Sequence, residues 1–595
     1  MKEIVYYTRK PVDSVHYDAR IAYSMHLGIK NGTKFEALNH NSGVLFPRAT
    51  ENKDGSLNPK CLRNPFIIEK KDKDGFYVLA IRTDGEGNTD TENVGSILFW
   101  ETTDFIEYKE VGMVSVSKSE VERVYCVYDW PKTAYTLMWS IDNGKWYMMY
   151  IEDFLAGMQI RMESACECPE FTYVETDIEG AENCGVISVS DEVADRLVKK
   201  LTVARHIGNK VSESIKVSCR QELDDVRVEA LYSDGTSALK RVDWDVSGID
   251  FEKPGEYDIK GNIHKDHFEF PVAYNRADPC IGFWNGKYYF IATNDADNNH
   301  SLYVREADSI PELVNAEEKL ILDSDMYDYA KGLLWAPEFH EIEGRLYIFL
   351  ALTPGEFFCE ESYIMELCPG GNPSHKEDWS APKRVVRKNG KDICEMGKEI
   401  TLDMTCFKWQ GDYYVVWSQR QFLPKDLGAW LYIAKLNSKE PWRLLTEPVV
   451  LSKPDYGWAN NHTFVDEGPF ALLLEDKVVL TFSSAAVDTS YVVSMLTIEK
   501  GKNPLTRKNW KKNNYPILTS RSVPGEFGTG HNAYVIDEYG DVWNTYHARP
   551  GEDGVRSSGI RRVHFDIDSM PVLDMTEDMD VSPEFSEVCT RLIVE

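Results

Sequence analysis

Five short segments recur along the second half of the chain: WNGKYYFIAT from residue 284, IEGRLYIFLA from 342, WQGDYYVVWS from 409, LEDKVVLTFS from 474 and EYGDVWNTYH from 538. Each sets a turn residue ahead of alternating aromatic or β-branched positions, the pattern of a hairpin feeding a half-buried strand. The turn positions Gly286, Gly344, Gly411, Asp476 and Gly540 are spaced by 58, 67, 65 and 64 residues. A four-stranded antiparallel sheet with long loops fits that period, and five such sheets closing in a ring make a five-bladed β-propeller. A single β-sandwich gives no reason for the period.

In a propeller the strand before the first hairpin of each blade is the innermost one. Asp278 lies 8 residues before Gly286, and Asp403 lies 8 before Gly411. Trp335, Glu467 and His531 lie 9 before Gly344, Asp476 and Gly540. These five side chains are therefore expected to meet in one funnel at the axis. Like charges in a partly dehydrated funnel raise one another's pKa. Stability gives no reason for placing three carboxylates there, whereas a chemical task does. Taken singly, an Asp before Pro is turn chemistry and a Glu before Gly-Pro is a solvated loop; the shared place in the repeat carries the reading.

At these residues the sequence resembles glycoside hydrolase family 43 over roughly residues 272–580. The matching motifs are ADP at 277–279, WAPE at 335–338, LD at 402–403, EGP at 467–469 and GHN at 530–532. The resemblance implies that Asp278 is the general base, Glu467 the general acid, and Asp403 the residue that tunes the acid and orients substrate. Trp335 would be an apolar wall. His531 would lie deep on the axis, either beside a structural calcium or water, with His531 as candidate ligand, or satisfied by core hydrogen bonds. No cofactor is required. The family also places an arginine ahead of its last strands; Arg556 is the first choice for that substrate contact and Arg562 the second, with Arg561 between them.

Residues 1–182 repeat the pattern more faintly. KNGTKFEAL from 30, KDGFYVLAIR from 73 and DNGKWYMMYI from 142 read as hairpins, and CLRNPFII from 61 places Asn64 where a base would need Asp. An amide does not accept a proton at neutral pH. This region is expected to be a degenerate or partial propeller-like β domain without catalysis. Residues 183–271 combine a helix, SDEVADRLVKKL with Ser190 as N-cap, and short alternating strands expected to form an Ig-like β-sandwich. The catalytic propeller is expected over 272–595. The whole chain is thus expected to be all-β apart from that helix.

Bulk properties narrow the function classes. With 66 basic and 97 acidic residues, net charge −31, the chain would repel nucleic acid and anionic lipid. Aromatics at 12% suit a surface that covers the apolar face of a sugar. No apolar run is long enough for a membrane span or a signal peptide, and the 12 scattered cysteines read as reduced thiols, so a cytoplasmic location is expected. The function expected is an inverting exo-glycosidase releasing a terminal pentose, α-L-arabinofuranose first and β-D-xylose second, from plant-derived oligosaccharides. A non-catalytic carbohydrate-binding propeller and a scaffold are the alternatives, and neither would need three convergent carboxylates.

Overall fold

A computed structural model describes residues 1–12, 15–141, 144–152, 154, 164–170 and 173–595. Residues 276–562 form five antiparallel sheets. Their first strands are Arg276–Trp284, Gly332–Ile342, Glu399–Trp409, Asp466–Leu473 and Glu526–Ile536. These strands touch their neighbours around a ring, and the fifth returns to the first, so the sheets are five blades about one axis. Three of the five expected turns, Asn285-Gly286, Glu343-Gly344 and Gln410-Gly411, have both residues at positive φ, the type I′ geometry that matches strand twist. The fifth blade has three strands of its own. Its outer edge is closed by residues from before the first blade: Val272 N–H donates to the Ser558 carbonyl, and Ser558 N–H to that of Ala273, both at 2.9 Å.

Every inner strand carries a bulge in its pairing with the second strand. At the bulge one residue is left-handed: Asp278, Ala336, Asp403, Gly468 and His531, with φ between 43° and 54°. Non-glycine residues rarely adopt this region, and Asp tolerates it best of those present. The equal phase expected of the five side chains is corrected here. Trp335 and Glu467 stand one residue before the bulge apex. In a regular strand that offset would turn them to the opposite face; the bulge re-aims them into the funnel.

The N-terminal region is three four-stranded sheets. Their first strands in spatial order are Ala181–Val189, Lys60–Glu69 and Val121–Asp129. The hairpins expected near residues 32 and 75 are present. The third lies between paired strands Ala134–Ile141 and Lys145–Ile151, although its turn residues 142 and 143 lie outside the described residues. The expected end of this region at 182 is corrected: Ala181–Val189 pairs along Lys2–Arg9 and so belongs to the first N-terminal sheet. Helix Asp191–Leu201 follows, and the Ser190 side chain accepts from Val193 N–H as its N-cap. Its Arg196 pairs with Asp568 at 2.9 Å and Lys200 with Asp566, tying it to the propeller. A single hydrophobic core runs from Ile4, Leu45 and Trp100 to Trp409, Trp458 and Phe482, so the N-terminal sheets and blades three and four share one interior.

Between them lie a three-stranded and a four-stranded sheet around a common core that includes Val228, Trp244, Ile259 and Leu592. The expected boundary at 271 needs a second correction. The last strand of the chain, Glu587–Val594, belongs to the four-stranded sheet, parallel to Ser214–Val217 and antiparallel to Gly255–Ile263. Without it those two strands would each present an open edge. Leu592 is wholly buried in this sheet. Leu592→Ala is expected to destabilise the sandwich by about 2–5 kcal/mol. Hydrogen exchange would show faster labelling of 255–263 while the inner propeller strands keep their protection; unchanged exchange at 255–263 would contradict the role assigned to this strand.

Candidate active site

Asp278, Trp335, Asp403, Glu467, His531 and Arg556 line one pocket of about 400 Å³ at the mouth of the propeller axis. Five of the six come from first strands or their bulges; Arg556 precedes strand Ser557–Arg562 of the fifth blade. The second arginine is corrected. Arg562 bonds Asp541 and Asp580, each at 2.8 Å, on the side of the blade that faces the sandwich, and Arg561 bonds Glu526. Strand alternation sends consecutive side chains to opposite faces, and both of these are consumed by local carboxylates.

Asp278 is buried, and its Oδ1 is met by three groups: His547 Nδ1 at 3.0 Å, His531 Nδ1 at 3.2 Å and Arg556 Nη1 at 3.4 Å. Burial alone would raise its pKa, but His531, Arg556 and His547 outweigh that and hold the carboxyl well below the usual range. Arg556 is fixed in turn by Asp295, which it grips through Nε at 2.9 Å and Nη2 at 2.8 Å. Burial pushes the His547 imidazole down to about 4, so the ring is neutral. The His531 pKa moves up: burial opposes, but Asp278, Asp403 and Glu467 favour its charged form.

The other two carboxyls are tuned the opposite way. Asp403 is pushed up to about 8 by burial, partly offset by His531, with Glu467 and Asp278 adding to the rise. Its Oδ2 accepts from Gly468 N–H at 3.0 Å, a bond that joins the third blade to the residue after Glu467. Glu467 is also raised by burial, against a hydrogen bond from Tyr491 and the charge of His531. The Tyr491 hydroxyl donates to Glu467 Oε1 at 2.8 Å and its ring stacks on His547 at 5.5 Å. Glu467 and Asp403 titrate together, and the protons belong to the pair. Near neutral pH the pocket thus holds one ionised carboxylate and a pair that retains a proton. The neighbouring Asp466 has no part in this. It points into the blade, where Ser452, Ser484 and Lys512 bond it at 2.6–3.0 Å.

Trp335 is held by its Nε1–H bond to Asn299 Oδ1 at 2.8 Å, and its ring meets Phe357 edge-on at 6.1 Å. Tyr491, His547, Asp295 and Asn299 were not legible as site residues. They come from a second strand, the residue before a third strand and a loop, with no repeat to mark them, although His547 closes the fifth quoted segment. His531 Nε2 is buried without a hydrogen-bond partner. Calcium favours six to eight oxygen ligands, and among the described residues no group of three or more His, Cys, Asp or Glu side chains could hold a metal ion. The residues present do not form a calcium cage, and no chemical step is assigned to one.

A family model described as glycosyl hydrolases family 43 matches residues 268–571, and one described as a probable glycosyl hydrolase domain matches residues 4–147. The chain is 32% identical over 293 residues to alpha-L-arabinofuranosidase B of Pyricularia oryzae, covering 48% of this chain and 57% of that one. It is 30% identical over 286 residues to an extracellular exo-alpha-(1->5)-L-arabinofuranosidase of Streptomyces chartreusis, covering 47% of this chain and 82% of that one. It spans 61% of an alpha-L-arabinofuranosidase 43 of Humicola insolens at 29% identity, so it covers about three fifths of the length of two of these curated relatives. Among solved structures, alpha-L-arabinofuranosidase from Lactobacillus brevis superposes with a TM-score of 0.45 at 29% identity, covering 51% of this chain and 95% of that one. With its family-43 match spanning half of its length and set over the propeller just described, the chain belongs to glycosyl hydrolases family 43.

Proposed function

We propose that this protein is an inverting, exo-acting glycoside hydrolase that releases terminal α-L-arabinofuranose from neutral oligosaccharides. The observation that carries the reading is the opposite tuning of carboxyls in one pocket, with Asp278 held ionised and the Glu467–Asp403 pair retaining a proton. Hydrolysis of a glycosidic bond needs both states at once. The choice of arabinose and of exo action rests on the names of the relatives. The alternative of a sugar-binding propeller without chemistry leaves the tuning unexplained.

In this mechanism Glu467 protonates the leaving oxygen. Tyr491 occupies Oε1, so the proton is delivered from Oε2. Asp278 takes a proton from the water that attacks the anomeric carbon on the opposite face. Its Oδ1 is engaged by His531, His547 and Arg556, which leaves Oδ2 for that water. Asp403 bears no bond-making role; its charge and its bond to Gly468 set the acid's affinity for its proton and its position. Trp335 covers the apolar face of the sugar. A cytoplasmic location is proposed as well, supported by twelve cysteines that all remain free thiols.

Asp278→Ala and Glu467→Gln should each lower turnover of an unactivated arabinoside by about 10²–10⁴-fold, the usual worth of a general acid or base, with native melting behaviour. Near-native turnover in either variant would remove that residue from the mechanism. A panel of nitrophenyl arabinosides and xylosides identifies the sugar.

The pH profile carries a second test. Asp278 stays ionised below the ordinary carboxylate range, so kcat/KM should hold on the acid side. It should fall on the alkaline side, above the ordinary carboxylate range, where the raised pair loses its proton. Removing the neighbouring negative charge lowers the pKa of Glu467, so Asp403→Asn should move the alkaline limb to lower pH. A limb that stays in place would assign it to another group.

Proton NMR of the first-formed sugar should show the anomer opposite to that of the substrate. A retained anomer would mean that a carboxylate attacks directly, as in enzymes whose carboxyls stand about 5–5.5 Å apart.

A further inference from the structure

The N-terminal sheets contain a second funnel. A cavity of about 210 Å³ lies where their three first strands meet, lined by Asn64 and Phe66 of Lys60–Glu69, Arg123 and Tyr125 of Val121–Asp129, Asn183 of Ala181–Val189, Tyr6 from the strand beside it, and Glu170. The catalytic pocket occupies the same place in the five-bladed ring. The correspondence extends to the backbone. Lys60–Glu69 has a register shift between Arg63 and Phe66, and Asn64 sits on it at φ 49° with Pro65 following. Asp278 sits on its own bulge at φ 51° with Pro279 following. Asn183 is a second left-handed residue on a first strand, at φ 53°, skipped by the pairing between Lys2–Arg9 and Ala181–Val189. Asn183 Nδ2 donates to Asn64 Oδ1 at 2.7 Å, and Asn64 Nδ2 donates to the Glu122 carbonyl at 2.6 Å.

An amide, Asn64, therefore stands at the bulge apex where the five-bladed ring has Asp278, and a second amide, Asn183, bonds it. Nothing at these two positions can give up or take a proton near neutral pH, and Glu170 is the one carboxylate among the lining residues, where glycoside hydrolysis needs a pair; the cavity is not a second hydrolytic centre. What remains is what a neutral sugar needs. Two amides offer donors and acceptors for hydroxyl groups, and the rings of Tyr6, Phe66 and Tyr125 offer apolar faces for C–H surfaces. The volume is smaller than the roughly 300–1,000 Å³ of ordinary ligand pockets, which limits the occupant to about one sugar unit. The shared core with blades three and four holds this cavity at a fixed distance from the catalytic pocket. We propose that the cavity at Asn64 and Asn183 is a non-catalytic binding site for a single neutral sugar residue, such as one unit of the oligosaccharide the enzyme degrades.

The test uses the full chain carrying Glu467→Gln, which prevents hydrolysis. Calorimetric titration with L-arabinose, D-xylose, D-galactose and α-1,5-linked arabinotriose should reveal, for at least one sugar, a site that survives Asp278→Ala. Asn64→Gly keeps the left-handed backbone and removes the amide, and should weaken that site at least about tenfold, the scale of one lost hydrogen bond. In a chain with Glu467 intact, Asn64→Gly should hydrolyse nitrophenyl arabinoside or xyloside within about threefold of the parent, showing that the fold is kept. A titration in which none of the four sugars shows a site independent of Asp278 would overturn the proposal, as would a site indifferent to Asn64→Gly. Failure of arabinoside hydrolysis alone would instead count against the arabinofuranosidase reading, because binding is measured without turnover.

Discussion

Three carboxylates can share a dry funnel only if something compensates their charge unevenly. Here the compensating groups, Arg556 and the histidines 531 and 547, all bear on Asp278 Oδ1. The arginine is prevented from swinging to Glu467 or Asp403 by its two bonds to Asp295. The result is an asymmetry that three symmetric carboxylates would not have. One is ionised against the cost of its burial, and the other two keep a proton between them because burial acts on them with less opposition. The carboxyls are set apart here by their neighbours.

That asymmetry depends on backbone placement. Each inner strand leaves its ladder at the same height, and the residue at the apex adopts a left-handed conformation. The bulge points a side chain down the axis where a regular strand would lay it across the sheet. It also brings the Gly468 N–H to Asp403, so adjacent blades are linked at the pocket itself. The strain of four non-glycine left-handed residues is carried by the sheets beneath them, where the second and third strands of each blade are largely buried. Such strain is concentrated at functional positions in many folds.

The repeat made much of this legible. Five turns at near-constant spacing gave the blades, and counting back from each turn led to Asp278, Trp335, Asp403, Glu467 and His531, all of which line the pocket. The count could not tell an apex from its neighbour, because a bulge adds a residue without any compositional mark; Ala336 and Gly468 hold the apex positions beside Trp335 and Glu467. Tyr491 and His547 were out of reach for a different reason. Their contacts with Glu467 and Asp278 span 24 and 269 positions of sequence and lie outside the repeating phase. The same limit applies to Glu587–Val594. Its alternation reads as a strand, but only the folded chain shows that its partners are Ser214–Val217 and Gly255–Ile263.

The strand swap at the C-terminus and the closure of the fifth blade by residues 272–273 have a common consequence. The chain enters the propeller by pairing with its last blade and leaves it by pairing with the sandwich that precedes it. Neither module can separate from the other without breaking a sheet. The helix Asp191–Leu201 adds ion pairs from the other side, and the core running from Trp100 to Trp458 adds an apolar bond between the N-terminal sheets and blades three and four. Three regions that the sequence presents in succession are therefore interlocked in space. Interfaces between domains of one chain are by default small and mobile; here a continuous hydrophobic core and shared hydrogen-bond ladders replace such an interface.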